Sequence, residues 1–240
     1  MSVISLDISG LKDELRRFPG WAGTFLEAGS KATFDGYVTA LEVGLSQTTA
    51  GQRFKWPSDK NGLGGAVRIR PSKLYKGVGD HRPMMGQVSF EWMCGPDPAD
   101  ANRLLVYEGY AELTIFDPDD QEATKVVHFD VCQGGYAGQA GHPPLHVQFH
   151  GTVNDVPRLP MFVTHPLDVL DLAMLELHQS KWREHLAGVQ VKSQMRSFPE
   201  RQRARILATL NGWAGLLAQP YSKHAFIALQ EASRAPLVYG

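Results

Sequence analysis

The strongest constraint on this fold is a change of period near residue 150. From Leu145 to His150 the chain alternates strictly, L-H-V-Q-F-H. Such alternation belongs to a half-buried strand, with Leu145, Val147 and Phe149 on one face and His146, Gln148 and His150 on the other. Pro143 and Pro144 hold the approach extended and supply no backbone N–H. After His165 the run L-D-V-L-D-L-A-M-L-E-L-H repeats at helical spacing, with Pro166 at the first helical position and Asp168 in the first turn. A chain whose two-residue period gives way to a 3.6-residue period at one place is expected to lay helices on a sheet that precedes them.

Upstream segments agree. G-Q-V-S-F-E-W-M-C, N-R-L-L-V-Y-E-G-Y-A-E-L-T-I-F and K-V-V-H-F-D-V read as strands, parted by the turn runs G-P-D-P and D-P-D-D. Gly109 marks a bulge or bend in the second of them. A-V-R-I-R is a short strand with Arg68 and Arg70 on one face. From Lys31, the β-branched and aromatic run A-T-F-D-G-Y-V-T-A-L-E-V-G-L is also read as strand-like. Leu11 to Phe18 is a helix stopped by Pro19-Gly20, and Trp21, Phe25 and Leu26 add an apolar turn. The expected class is therefore α+β: an antiparallel meander of about six strands, then a C-terminal helical layer. It is expected as one domain, with a helical segment over 1–30, the meander over 31–151 and the layer over 165–235. In the layer, Leu167, Leu170, Met174 and Leu177 form a stripe that Val169, Leu172 and Leu175 widen, so this helix should be buried on two sides. Ser197 and Glu200 have capping-box spacing for a helix reaching about Ala218, and Tyr221 to Ser233 suits a last short helix.

Composition excludes several classes. The 240 residues are 43% hydrophobic and 20% charged with a net charge of −1, ordinary for a globular chain and favouring no partner by global charge. The two cysteines, Cys94 and Cys132, form no C-x-x-C, and a reducing cytoplasmic compartment is the simplest reading. No basic-then-apolar leader opens the sequence, and no run approaches the ~18 apolar residues of a membrane span.

Three groups of residues carry chemistry. The first is imidazole and carboxylate. His128 and Asp130 share one face of their strand. If that strand pairs with 145–150, His128, Asp130, His146 and His150 come to one face, a set suited to acid–base work or to a divalent metal. The alternative is an ordinary polar sheet face. No helical H-E-x-x-H or paired cysteines accompany them, so no cofactor is implied. Cys132, two residues beyond Asp130, is the nearest candidate nucleophile. His142, between Gly141 and Pro143, and Arg158, on a proline-stiffened connection, are expected to join His146 in a cluster that holds loop carbonyls. The Gly-rich run C-Q-G-G-Y-A-G-Q-A-G lacks the Lys-Ser/Thr of a phosphate-binding loop and reads as a flap.

The second group is basic. Residues 53–82 hold eight Lys or Arg against two Asp, a net charge of +6. Arg53, Lys55, Arg68, Arg70 and Lys73, with Trp56 interleaved, suit phosphate contact plus base stacking. The acidic stretch 91–130 could neutralise them instead. The third is Arg196, Arg201, Arg203 and Arg205. Cations at a helix start oppose its dipole, so they need an acidic neighbour or an outside anion unless they lie on a solvated face.

The run H-P-P-L-H-V-Q-F-H-G, followed by P-R-L-P and T-H-P-L-D-V-L, resembles uncharacterised bacterial families with an H-P-x-x-H loop, an apolar strand and Gly, then Arg-x-Pro before a helix. The resemblance covers residues 125–185 and maps onto His142, Pro143, His146, Gly151, Arg158 and Pro160. It implies a setting near mobile-element and phage-defence genes, and no role for any residue. The order of N-terminal helix, meander, Pro-Pro loop and helices also resembles the ubiquitin-conjugating fold. That fold's catalytic cysteine follows the meander, and this chain has none beyond Cys132. Two functions follow as expectations. One is a non-catalytic interaction subunit of a bacterial, defence-linked system, contacting a protein partner or nucleic acid. The other is a small hydrolase or nuclease-type toxin using His128, Asp130, His146 and His150.

Overall fold

The computed structural model describes residues 4–57, 65–72, 83–119, 123–132, 145–150, 159–163, 165–218 and 237–239. His142, Arg158, Lys73, the Gly-rich run 133–141 and the expected helix 221–233 lie outside them. The elements run β1 (Ile4–Asp7), α1 (Ile8–Ala22), α2 (Ser30–Gln47), β2 (Phe54–Trp56), β3 (Val67–Ser72), β4 (Met84–Pro96), β5 (Arg103–Phe116), β6 (Ala123–Val131), β7 (Leu145–His150), β8 (Leu159–Pro160), α3 (Pro166–His178), α4 (Ser180–Ala187), α5 (Val189–Met195), α6 (Phe198–Leu217) and β9 (Leu237–Tyr239). The fold is α+β, with an antiparallel sheet and most helices after it.

Long strands β4 and β5 are the spine of the sheet. The order is β2-β4-β5-β6-β7-β8. β2 and β3 lie end to end on the outer edge of β4, pairing with residues 92–94 and 84–88. β1 and β6 share the other edge of β5 in the same way, and β1 pairs in parallel with β9. Along β4, buried Val88, Phe90, Trp92 and Cys94 alternate with half-buried Gln87, Ser89, Glu91 and Met93. One face is thus core and the other open, as antiparallel sheets allow.

Helices cover the core face. α3 lies against β4, and its Leu170, Met174 and Leu177 are fully buried, as their spacing predicts. At Gly86 of β4 an added Cβ would sit 2.6 Å from the Leu177 side chain, so helix and sheet meet at a glycine. Val169 is buried as well, but Leu175 is 42% exposed, so the stripe is narrower than expected. Leu170→Ala should lower stability by about 2–5 kcal/mol, the range for emptying a full core position. Denaturant melts check it, and a loss under about 0.5 kcal/mol would make α3 peripheral.

Two expectations fail near the N-terminus. Residues 30–47 form helix α2, not a strand, so the meander does not begin at 31. Phe34, Tyr37, Val38 and Leu41 are buried at helical spacing, and that period outweighs the β-prone composition. α1 also runs through Pro19 to Ala22 instead of stopping there. Its last turn is held by packing: Trp21 stacks on Trp182 and tilts against Phe18 and Phe198. α6 likewise continues through Gly212 to Leu217.

Candidate functional site

The open sheet face gathers the residues singled out from the sequence. β6 pairs antiparallel with β7, setting Asp130 opposite His146, His128 opposite Gln148 and Val126 opposite His150. β5 continues the rows, with Tyr110 opposite Asp130 and Glu112 opposite His128. Directly paired residues share a face. His128, Asp130, His146 and the His150 position therefore do belong to one face, in the register on which the catalytic reading depended.

Within it, each imidazole has its own carboxylate. His128 Nε2 lies 2.7 Å from Glu112 Oε2. His146 Nε2 lies 3.3 Å from Asp130 Oδ2. Tyr110 stacks flat on His128, with ring centroids 5.0 Å apart and planes 7° from parallel. Thr114 Oγ1 donates to Glu112 Oε1 at 3.1 Å, so that carboxylate serves two neighbours. His146 is only 2% exposed, packed between β6 and β8, where Pro160 is its register partner. Carboxylate–imidazole pairs can orient a general base. Here, however, they form parallel cross-strand pairs and do not converge on one point. Among the described residues no group of three His, Cys, Asp or Glu side chains could hold a metal ion.

The basic candidates divide. Trp56 is wholly buried and its indole N–H donates to the Tyr37 carbonyl at 2.8 Å. Its place in the core removes it from the base-stacking set. Arg53 lies over the Tyr107 ring, 3.9 Å from its centroid, and Lys55 pairs with Glu91 at 2.6 Å. Arg70 donates to the Leu26 carbonyl at 2.6 Å. Arg68 and Arg70 are exposed on one face of β3, as the alternation predicts. Through the pairings Arg68↔Gln87 and Lys55↔Met93, that is the same open face that carries the histidines. Basic edge and imidazole–carboxylate rows are two parts of one surface.

Tyr110 and Glu112 are site residues that sequence reasoning missed. The alternation E-G-Y-A-E in β5 was their signal, and it matters only once β5 is known to neighbour β6.

A second charged cluster lies on the other side of the sheet. Arg205 of α6 is 4% exposed. It grips Asp168 of α3 through two bonds of 2.5 and 2.7 Å, and Glu14 of α1 through two of 3.1 Å. Arg201 donates to Glu14 at 2.7 Å and to Asp13 at 3.1 Å. So Arg201 and Arg205 answer to carboxylates within the fold, whereas Arg196 and Arg203 are exposed. Burial pushes the Asp168 carboxyl up to about 6 against the pull of Arg205. Burial alone would lower Arg205, but Asp168 and Glu14 outweigh it and hold its pKa above the ordinary value. His165 caps α3, its Nδ1 accepting from Leu167 N–H at 3.3 Å. Burial, and then the two arginines, keep that imidazole well below its usual pKa and hence neutral.

Among the described residues no helix is long and apolar enough to cross a membrane. No protein-family model, curated protein or solved structure matches the chain.

Proposed function

We propose that the protein is a non-catalytic interaction subunit whose open sheet face docks a partner protein. One observation carries the reading: this face holds both signs of charge in separate zones. Arg68, Arg70 and Lys55 lie on the β2–β3 edge, while Glu91, Glu108, Glu112 and Asp130 occupy β4 to β6. Strands are spaced by about 4.8 Å. The arginines of β3 are therefore roughly 10 Å from the carboxylates of β5, about one Debye length at 0.1 M salt. A polyanion drawn to the edge would still be repelled by the carboxylates, at about a third of the unscreened strength. A protein surface of mixed, complementary charge would meet neither penalty. The one-to-one pairing of the imidazoles supports the same reading, because both are engaged as side-chain partners. In the setting implied by the resemblance around residues 125–185, the partner belongs to a bacterial, defence-linked system.

Two measurements test this. In anisotropy titrations with single- and double-stranded DNA at low salt, the protein should bind weakly or not at all. Neutralising Glu91, Glu108, Glu112 and Asp130 together should raise DNA affinity. Tight binding by the unaltered protein, with a log–log salt slope that falls by about one for Arg68→Gln or Arg70→Gln, would favour nucleic acid instead. The hydrolase reading is tested by His146→Ala and His150→Ala. We expect His146→Ala to lower the melting temperature, since it removes a buried side chain, and to leave partner binding intact once folded. Variants that stay stable but lose a metal-dependent nuclease activity shown by the parent protein would overturn the proposal.

A further inference from the structure

The open face ends, at its β3 side, in a cleft of about 350 Å³. Two rows of side chains line it, and the register explains both. Leu26 bridges Ile69, and Glu27 N–H donates to the Arg68 carbonyl at 3.0 Å. Arg68 is opposite Gln87, and Gln87 is opposite Thr114. Glu27, Arg68, Gln87 and Thr114 therefore form one polar row across four adjacent segments. The next row is apolar: Met85 opposite Phe116, with Pro118 beyond.

The charges in this row are not spent on each other. Among the described residues the Arg68 guanidinium, the Glu27 carboxylate and the Gln87 amide have no hydrogen-bond or ion-pair partner, unlike Lys55, Glu112 and His128 elsewhere on the face. Thr114 donates to Glu112, which leaves its lone pairs to accept. A guanidinium fork matches a carboxylate, and a carboxylate beside it accepts from an ammonium group. Met85, 8% exposed, gives the adjoining wall an apolar surface. A volume of this size lies in the range of small-molecule sites, which pair apolar walls with a few placed polar groups.

We propose that this cleft binds a small zwitterion with an apolar side chain, the chemical class of a free α-amino acid such as leucine, methionine or phenylalanine. Arg68 takes the carboxylate, Glu27 takes the ammonium, Gln87 bridges between them, and the side chain lies along Met85, Phe116 and Pro118. The site shares Arg68 with the docking face above, but it does not depend on that reading, because binding needs no partner protein.

Calorimetric titration of the full chain with L-leucine, L-methionine and L-phenylalanine tests it, beside their N-acetyl and methyl-ester derivatives. We expect saturable binding of at least one free amino acid. Its N-acetyl form should bind about tenfold or more weakly, because Glu27 loses its partner, and its ester should weaken similarly at Arg68. E27Q should abolish the discrimination against the N-acetyl form, and R68Q the discrimination against the ester. Melting curves of both unliganded variants should match the parent, because neither side chain has a partner to lose. No binding up to roughly 10 mM, tenfold above a millimolar Kd, would overturn the proposal. So would equal binding of the blocked and free forms, which marks a merely apolar cleft. Unchanged discrimination in folded E27Q and R68Q would place any binding elsewhere and overturn it too.

Discussion

Arg205→Met should cost about 3–5 kcal/mol at neutral pH, the range for removing one partner from a buried ion pair. Its guanidinium sits between Glu14 and Asp168, themselves 3% and 4% exposed. Methionine fills similar space but leaves two carboxylates in a low-dielectric site, one of them keeping only its bond from Arg201. With total stability of about 5–15 kcal/mol typical of globular chains, the variant should melt far below the parent. Acid should partly rescue it. Without the cation the buried Asp168 carboxyl titrates higher in the folded protein than in the unfolded chain, so the folded variant binds more protons. Its stability deficit should therefore shrink as the pH is lowered from 7 through about 6, the value to which burial already raises Asp168 in the intact protein. Denaturant melts of parent and variant at pH 7.5 and 5.5 check both parts. A loss below about 1 kcal/mol, or a deficit that grows on acidification, would show that the arginine is not what keeps these carboxylates ionised.

Gly109→Ala should be the most damaging single-methyl change in the sheet, with a loss of about 3 kcal/mol or more. Gly109 has φ of +139°, a conformation side chains rarely adopt. Space forbids a side chain as well. An added Cβ would lie 2.1 Å from the Glu91 carbonyl oxygen and 2.7 Å from the Trp92 Cα, both backbone atoms of a central strand. Neither can rotate away. The glycine follows the irregularity where Met93 pairs with Glu108 but Cys94 with Val106, so Tyr107 is the extra residue. That extra residue lets β5 carry buried Val106 at one end and buried Ala111 and Leu113 at the other. It also sets Tyr110 and Glu112 on the open face. Chemical melts, with the near-ultraviolet signal of Trp92 as a second readout, measure the effect. A loss under about 1 kcal/mol would mean that β4 and β5 have slack at this point.

The class of the fold, and the passage from sheet to helices after residue 150, are legible in the sequence. Strict alternation in 145–150 and helical spacing in 166–177 are local signals, because a strand or helix repeats its exposure every two or 3.6 residues wherever it lies. Leu170, Met174 and Leu177 could be assigned to the core on that ground alone. The same logic was available for Phe34, Tyr37, Val38 and Leu41, and composition misled there only because β-branched and aromatic residues also fill helices that have a partner to pack on. Pairing is not local. Whether His128, Asp130 and His146 meet depends on which strand neighbours β6 and in what register, and a one-residue slip would separate them. Tertiary structure decided that, and added Glu112 and Tyr110 from β5. It also decided what each charge does. Trp56 and Arg205 look alike on the page, an aromatic and a cation inside basic runs. One fills the core because α2 offers a carbonyl to its indole, and the other is buried because α1 and α3 bring two carboxylates from 191 and 37 residues away. A buried charge is tolerated only where partners converge in space, and no window of sequence contains that convergence.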